Sequence, residues 1–528
     1  MLRTAFIGID GATWKIILDL IRREYLPAFK GLLERGVHAS LKSTIPPVTG
    51  AAWFAVATGL NPGKTGVIDF LKLGNELTLR SVNSSDYRGK AVWDLVGVEG
   101  YKVCVIDYPM LYPAYPVNGF MLSSWGRKLS AWPLNLLNEV KDVVKSYDIF
   151  VNYHLEKYND IDLFFEDLDR AVEKKLKVSL HLLKTKRWDL FVDVVSFTDW
   201  LQHRLWHYID PQHPLHPQGD EARRIYERFA DYWQLLDDYL RQVMEVADHL
   251  FIVSDHGFGP QWGVFNLGKW LEAKGFLFRR RRSLKEGILT RLLHVVSKFR
   301  PLINILPEKV YLKGQRKFTE LSCPLPLIDL ESSEAIVLGH TIPFGAVYVN
   351  PRFKNRVDDI LTKIEKELRR VGDDLGKDLR VTVFRLKDIY RGANSDKLPD
   401  LILTINDWSC VIVKDFRKDF IYLEGTYSPR HTGSHRIDGV FVAYGRDIRQ
   451  GVKMNGISVF DVAPTILHLF GIPIPSNMDG RVLTEIFKPE GEIAKRKPKY
   501  VDPSYYKIKT LGEKTKAKIK ELRRLGKI

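Results

Sequence analysis

Short apolar runs alternate with longer amphipathic stretches along most of the chain. The runs rich in valine, isoleucine and phenylalanine are Ala5–Ile9, Lys102–Asp107, Leu190–Ser196, His249–Ser254, Val347–Val349, Leu401–Leu403 and Val440–Val442. Stretches with apolar residues at helical spacing are Trp14–Leu33, Arg223–Val246 and Asp358–Val371. Buried strands and amphipathic helices have these two periodicities. Their alternation predicts an α/β fold with a mostly parallel central sheet.

The pattern changes between residues 275 and 332, where basic residues and four prolines interrupt a mixed helical segment. We interpret 275–332 as an inserted cap, so that the core comprises residues 1–274 and 333–487. Residues 488–528 then form a basic tail with fourteen Lys/Arg and five Asp/Glu. Such a tail is either a solvated segment or a contact with anionic lipid or nucleic acid.

Composition excludes several classes of protein. A hydrophobic content of 45% over 528 residues is typical of an ordered globular protein. The three cysteines have no CxxC spacing, which argues against a disulfide framework or a zinc knuckle. No window of about twenty uninterrupted apolar residues occurs, so no transmembrane segment is expected. The chain enters its first predicted strand at Ala5 without a signal-peptide pattern, and we expect it to be cytoplasmic.

Acidic residues and histidines follow three of the predicted strands. Asp10 comes directly after the first strand, and Asp255 and His256 follow the strand at 249–254. Asp199 and His203 follow the strand at 190–196 and are four residues apart, which places them on one face of a helix. Carboxylate oxygens and imidazole nitrogens are good ligands for zinc. Each residue alone is as readily a helix cap or a core residue, but together they predict a metal site.

Thr49 and His435 complete the candidate set. Thr49 stands between two prolines and an apolar stretch that reads as a helix, so its hydroxyl is either a helix cap or a nucleophile. His435 lies in a GSHR sequence just before the strand near 440. His207 repeats the spacing of His203, and His431 lies four residues before His435, so both compete as ligands.

These motifs resemble the alkaline phosphatase superfamily, in particular its type I phosphodiesterase/nucleotide pyrophosphatase branch. The sequences that carry the resemblance are FIGIDGATW, PPVTGAAWFAVATGLNPGKTGVIDF, SFTDWLQH, IVSDHGFG, GSHR and DVAPTILHLFGIPIPSNMDGRVL, in that order. The likeness spans about residues 3–485. It implies an alkaline-phosphatase-like three-layer sandwich with a mostly parallel central sheet and an inserted cap.

The resemblance also implies a site with two divalent metal ions, with zinc expected and manganese or iron as alternatives. Asp10, Asp255, His256 and the oxygen of Thr49 would hold one ion, and Asp199, His203 and His435 the other. Thr49 would be the nucleophile. Two positions depart from the family pattern, since many relatives have a histidine where Thr65 stands and nucleotide pyrophosphatases have a substrate-binding asparagine where Phe70 stands. The second departure argues against assuming a nucleotide substrate. No substrate-binding residue is assigned.

The predicted function is hydrolysis of a small-molecule phosphate ester, as a phosphodiesterase or pyrophosphatase, through a phospho-threonine intermediate. A phosphomonoesterase or phosphomutase on the same scaffold is the alternative within enzymes. A basic protein that binds nucleic acid or anionic lipid and keeps the site only as structure is the alternative outside them. The segments 275–332 and 108–130 are candidates for substrate-selecting caps. Arg127, Lys128 and the run Arg279–Arg282 either attract an anionic leaving group or serve only as solubilising charge.

Overall fold

The computed structural model describes residues 3–74, 77–126, 128–280, 325–341 and 344–511. Its strands are β1 (Thr4–Ile9), β2 (Val37–Lys42), β3 (Leu71–Leu73), β4 (Leu79–Ser81), β5 (Val103–Ile106), β6 (Gly119–Ser123), β7 (Ser130–Trp132), β8 (Leu190–Val195), β9 (His249–Val253), β10 (Gly257–Pro260), β11 (Val264–Asn266), β12 (Ala335–Ile336), β13 (Gly345–Val349), β14 (Val381–Arg385), β15 (Leu401–Ile405), β16 (Val411–Val413), β17 (Tyr422–Leu423), β18 (Gly433–Arg436), β19 (Asp438–Gly445), β20 (Val452–Ser458), β21 (Ile474–Pro475) and β22 (Tyr500–Val501).

The α-helices of the same residues are α1 (Trp14–Arg22), α2 (Pro27–Arg35), α3 (Thr49–Thr58), α4 (Pro62–Thr65), α5 (Ser84–Tyr87), α6 (Val92–Val98), α7 (Leu136–Val144), α8 (Ile161–Thr185), α9 (Phe197–Ile209), α10 (Asp220–Met244), α11 (Leu267–Ala273), α12 (Val357–Arg369), α13 (Val371–Leu375), α14 (Leu386–Ile389), α15 (Val462–Leu469) and α16 (Glu492–Lys495). Short 3₁₀ helices lie at Glu156–Asn159, Leu325–Leu327, Pro351–Arg356, Ser395–Lys397, Val459–Asp461 and Thr484–Ile486.

A nine-stranded sheet organises the molecule, in the order β20-β2-β19-β9-β1-β8-β5-β6-β7. The five strands β9, β1, β8, β5 and β6 run parallel to one another. Both faces of the sheet are covered, because Ala5, Ile7 and Ile9 of β1 pack into one apolar cluster and Phe6 into another. Helices α1, α2, α8, α9 and α10 contribute to the first cluster, and α3, α6 and α15 to the second. The predicted three-layer α/β fold with a mostly parallel sheet is therefore confirmed.

A second sheet lies apart from the central one, and the sequence pattern does not separate the two. Its order is β12-β13-β15-β14, and every pairing is antiparallel. These strands and α12 share a third apolar cluster. Of the three late strand runs, only the one near Val440 joins the central sheet, where β19 lies antiparallel to β9.

The helix predicted over Trp14–Leu33 is wrong as a single element. The structure divides it into α1 and α2, and Glu24 between them has a φ of 64°. Pro27 occupies the first turn of α2, where its missing N–H has no intrahelical partner to lose. A proline in the middle of one continuous helix would instead have removed a hydrogen bond.

The inserted cap and the basic tail lie only partly within the described residues. Of the cap, 281–324 fall outside, and its two ends meet in an antiparallel bridge between Arg279 and Ile328. Of the tail, 512–528 fall outside. The described part docks onto the core, because β22 pairs with β21 and the buried Tyr506 donates to the carbonyl of Pro473. Contact of the tail with an anionic surface stays a prediction.

No helix among the described residues combines the length and the apolar character needed to cross a membrane.

A buried lysine links α8 to the central sheet. Lys175 Nζ lies 3.0 Å from Asp107 Oδ2 and also pairs with Asp193, and all three side chains are at most 5% exposed. Tyr147 and Tyr239 donate to the same two carboxylates, each at 2.6 Å. Hydrogen bonds of this kind satisfy the charges that burial would otherwise leave uncompensated.

We expect Lys175→Met to lower the free energy of unfolding by about 3–5 kcal/mol, because two buried carboxylates lose their shared cation. Lys177→Met, two residues away on the same helix, is the matched control, since its side chain is 59% exposed and pairs with Glu173 at the surface. The control should change stability by less than about 1 kcal/mol. Unfolding in guanidinium chloride, followed by circular dichroism, measures both, and equal losses would contradict the assignment.

Candidate metal centre

Three acidic residues meet at the carboxyl ends of adjacent parallel strands. Asp10 follows β1, Asp255 follows β9 on one side of it, and Asp199 lies in the first turn of α9 after β8 on the other side. All three side chains are buried. Ligand sites of open α/β sheets lie at this edge because successive loops converge there. Gly11 adopts a φ of 68°, which lets the chain turn sharply after Asp10, and its N–H donates to Asp255 Oδ1 at 3.2 Å.

Thr49 is the first residue of α3, a helix whose residues are all buried. Val48 occupies the N-cap position, so the threonine side chain does not cap the helix, and its Oγ1 lies 3.2 Å from His256 Nε2. Gly50 packs against the backbone of residues 69 and 70, where a Cβ would lie 2.6 Å from the Asp69 carbonyl carbon. This close approach fixes the start of the helix and with it the hydroxyl of Thr49.

His435 reaches the cluster on a two-stranded ribbon rather than on the central sheet. Strands β10 and β18 pair antiparallel, with Phe258 opposite His435. The imidazole of His435 stacks on that of His256 with ring centroids 3.6 Å apart. The sequence pattern placed His435 before a strand, whereas the structure places it within one.

Each of the three histidines is oriented by a backbone carbonyl. The Nδ1 atoms of His203, His256 and His435 lie 2.8, 3.0 and 2.9 Å from the carbonyl oxygens of Gly433, Gly257 and Pro47. A carbonyl only accepts, so the proton is assigned to Nδ1 and the Nε2 lone pair is left for another partner. Histidines that bind metals in proteins are held in this way.

The donor atoms form two groups. In the first, His256 Nε2 lies 3.5 Å from Asp10 Oδ1, 3.3 Å from Asp255 Oδ2 and 3.2 Å from Thr49 Oγ1.

In the second group, Asp199 Oδ1 lies 3.4 Å from both His203 Nε2 and His435 Nε2, which are 3.0 Å from each other. His256 links the groups, because its ligand atom also lies within 4.8 Å of those of Asp199 and His435. The structure thus brings together all seven residues that the sequence singles out.

Three carboxylate oxygens in the cluster, Asp10 Oδ1, Asp199 Oδ1 and Asp255 Oδ2, are buried and accept no hydrogen bond from any residue that the structure describes. Burial raises the pKa values of Asp10 and Asp255, and for Asp10 the neighbouring Asp255 and Asp199 raise it further. Burial also lowers the pKa values of His203 and His256. Among the described residues, no lysine or arginine pairs with these carboxyl groups. Carboxylate oxygens that accept no hydrogen bond from described residues lie here beside neutral imidazoles. Together they form a set of ligand atoms that suits divalent cations.

The two competing histidines lie at the margin of the cluster. His207 Nδ1 contacts the hydroxyl of Thr432 at 2.9 Å and belongs to neither group of donors. His431 is buried and stacks on His203 with centroids 4.6 Å apart, while its Nδ1 has no hydrogen-bond partner within the described part of the chain. His431 therefore lines the site next to a candidate ligand.

The comparison with protein families matches residues 4–438 to type I phosphodiesterase/nucleotide pyrophosphatase. The chain belongs to this family. Members are phosphoric ester hydrolases that depend on divalent metal ions, so the sequence-based prediction of the family and of the enzyme class is confirmed.

Among solved structures, the chain is similar to murine and human ectonucleotide pyrophosphatase/phosphodiesterase 5. One of the murine structures is an inactive form in complex with AMP. Each is 13% identical and covers 92% of this chain, and this chain covers 98% or 100% of theirs, with TM-scores of 0.47 or 0.48. No curated protein matches this phosphodiesterase-family chain.

The side of the metal centre next to His203 is formed by residues outside the sequence motifs. Tyr153 stacks on the ring of His203 at 5.1 Å, and His154 stacks on His431 at 5.6 Å. Phe150 meets the edge of Trp200, which follows Asp199. This irregular stretch between α7 and α8 has no strand or helix periodicity, so only the folded chain shows its proximity to the site.

A half-buried arginine holds the ribbon that carries His435. Arg436 Nη1 donates to the carbonyls of Trp408, Ser434 and His435 at 3.1, 3.3 and 2.8 Å, and Nη2 donates to that of Pro260 at 2.6 Å. Burial lowers the pKa of Arg436 to about 10. The guanidinium ties β18 to β10 and to the turn before β16.

We expect Arg436→Met to lower the free energy of unfolding by about 2–3 kcal/mol, because buried carbonyls lose their donor. Arg446→Met is the matched control at the end of the next strand, where the side chain is 63% exposed. Its effect should stay within about 0.5 kcal/mol. Denaturant titration of both variants decides the question, and a neutral Arg436→Met variant would refute the role of the guanidinium.

Proposed function

We propose that the chain hydrolyses phosphodiester or pyrophosphate bonds, with Thr49 as the nucleophile and with two divalent cations held by the two groups of donors. Asp10, Asp255, His256 and Thr49 would hold one cation, and Asp199, His203 and His435 the other. Zinc suits this mixture of carboxylate and imidazole donors best.

The spacing of the donor atoms carries this proposal. Zinc bonds of 2.0–2.1 Å in tetrahedral geometry separate neighbouring ligand atoms by about 3.3 Å. The six measured separations, between 3.0 and 3.5 Å, lie around that value. The first group offers four donors and the second three, which leaves one position in the second for substrate or water, as in catalytic zinc sites.

The residues of the chain position the reacting groups. Bound cations would neutralise negative charge on the phosphoryl oxygens and favour the ionised nucleophile. The start of α3 would hold Thr49 Oγ1 next to the phosphorus of the substrate. The first backbone N–H groups of that helix would point toward the same phosphoryl group. Attack forms a bond from Oγ1 to phosphorus while the bond to the alcohol oxygen breaks, and the alcohol leaves with the threonine proton. A water oxygen then bonds to phosphorus as the bond from phosphorus to Oγ1 breaks, Oγ1 takes a proton from that water, and the phosphomonoester is released.

We expect Thr49→Ala to reduce hydrolysis of bis(p-nitrophenyl) phosphate by about three orders of magnitude or more, because the attacking oxygen is lost. Thr49→Ser keeps the oxygen and should retain measurable turnover. Thr58→Ala is the matched control, since this buried threonine of the same helix donates to the Phe54 carbonyl and accepts from the Leu60 N–H. Mass spectrometry of quenched reactions should place a phosphoryl group on Thr49, and wild-type turnover in Thr49→Ala would refute the nucleophile.

We expect Asp255→Asn to lower the bound metal from two equivalents toward one, because a neutral amide replaces a charged ligand without changing its shape. Asp231→Asn on the surface of α10 is the control and should keep both equivalents. Elemental analysis of the dialysed proteins gives the stoichiometry. Two equivalents in the Asp255 variant at unchanged affinity would rule out this ligand, whatever the activity.

A further inference from the structure

The start of α3, which carries Thr49, rests directly on the backbone of Asp69 and Phe70. A Cβ on Gly50 would stand 2.6 Å from the Asp69 carbonyl carbon and 2.7 Å from the Phe70 nitrogen, so the two main chains are in contact. A movement of residues 69 and 70 is therefore transmitted to the first turn of α3 and to the hydroxyl of Thr49.

The fully buried carboxylate of Asp69 holds this backbone through four hydrogen bonds. Its Oδ1 accepts from the Phe70 N–H at 2.7 Å and from the Thr341 hydroxyl at 2.9 Å. Its Oδ2 accepts from the Thr341 N–H at 2.7 Å and from His340 Nδ1 at 3.3 Å. A carboxylate only accepts, so the proton of His340 is assigned to Nδ1, and its Nε2 accepts from the Tyr348 hydroxyl at 2.7 Å. A fully satisfied buried network of this kind is rigid.

The partners of Asp69 belong to the part of the fold that contains the second sheet. Tyr348 lies in β13 of that sheet. Lys414, directly after β16, donates to the carbonyls of His340 and Thr341 at 3.1 and 3.2 Å and so fixes the segment that binds the carboxylate. The position of Asp69 is therefore set by residues 271 and 272 positions further along the chain.

The chain on the other side of Thr49 is held by the same part of the fold. The Ile45 N–H donates to the hydroxyl of the buried Tyr390 at 2.7 Å, and Val48 and Ile68 pack into the third apolar cluster with the strands of the second sheet. The candidate acidic ligands, by contrast, follow strands of the central sheet. The nucleophile and the acidic ligands are thus held by different parts of the molecule.

We infer that Asp69 is a positioning residue, which sets the place of the Thr49 hydroxyl relative to the phosphorus through the backbone contact with Gly50. Attack needs the reacting atoms about 3–3.5 Å apart, and a misplacement of about 1 Å lowers the rate about 100-fold. Asp69 takes no part in the bonds that form or break. The inference rests on the proposed function and adds a residue outside the seven of the metal centre.

Asp69→Asn tests the role without changing the shape of the side chain. Each oxygen of Asp69 accepts from a backbone N–H, so the asparagine NH2 group faces one of these N–H groups in either orientation. The kcat of the holoenzyme for bis(p-nitrophenyl) phosphate should fall about 100-fold. The dissociation constant of inorganic phosphate, measured by calorimetry, should stay within about twofold and both metal equivalents should remain, because only the reacting geometry is lost.

Thr341→Val and Thr341→Ser form a second, milder pair. Valine removes the hydroxyl that Asp69 Oδ1 accepts from, whereas serine keeps it. The kcat of Thr341→Val should fall about fivefold, since one bond to the carboxylate is lost. Thr341→Ser should retain the wild-type value. This pair decides the question where Asp69→Asn does not fold.

Asp237→Asn is the matched control. This buried carboxylate also binds two backbone N–H groups, those of Ala28 and Phe29 at 2.9 and 2.8 Å, but it holds the start of α2, which carries no candidate site residue. Its kcat should equal that of the wild type, even where the variant unfolds at a lower temperature.

A wild-type kcat in Asp69→Asn overturns the positioning role, as does one in Thr341→Val where Asp69→Asn does not fold. A loss of kcat that is matched by loss of phosphate binding, or that Asp237→Asn shares, also overturns it. Wild-type turnover in Thr49→Ala, or absence of both turnover and phosphate binding in the wild type, instead overturns the proposed function, and the positioning role with it.

Discussion

The mutual repulsion of Asp10, Asp199 and Asp255 is the constraint around which the site is built. Parallel strands direct their carboxyl ends to one edge, so acids that follow adjacent strands are forced into proximity that water does not screen. The result is three buried oxygens that accept no hydrogen bond from the residues described. The rest of the site is arranged around this negative charge. The Nε2 atoms of the three histidines, which carry no proton, and the start of α3 lie next to the three carboxyl groups.

Backbone carbonyls do much of the orienting in this molecule. Each candidate histidine ligand gives its Nδ1 proton to a carbonyl, and Arg436 binds four more. Carbonyl positions follow from strand pairing and turns rather than from side-chain identity. The geometry of the donors is therefore a property of the fold, which explains why a two-stranded ribbon outside the central sheet supplies His435.

The sequence predicted the parts of the structure that depend on local pattern. Asp10 and Asp255 end apolar runs, Asp199 and His203 have helical spacing, and the family resemblance joined them into one site. The second sheet was not predicted, because strands such as Leu401–Ile405 are as apolar as those of the central sheet. The hydrophobic pattern of a strand does not show which other strand it pairs with. The hydrogen bonds of Asp69 could not be predicted either, since they join it to residues far along the chain.

The bridge between Arg279 and Ile328 has a consequence for how the molecule tolerates change. A segment that leaves and re-enters at one paired position is a loop closed at its base, and Arg280 N–H and Asp329 N–H reinforce that closure with bonds to Leu327 and Phe278. The entropy of closing such a loop grows only logarithmically with its length. A change in the length of the connection between the two ends therefore adds little to the entropy cost of forming this bridge. The paired base therefore makes the positions of Arg279 and Ile328 insensitive to how long the connection between them is.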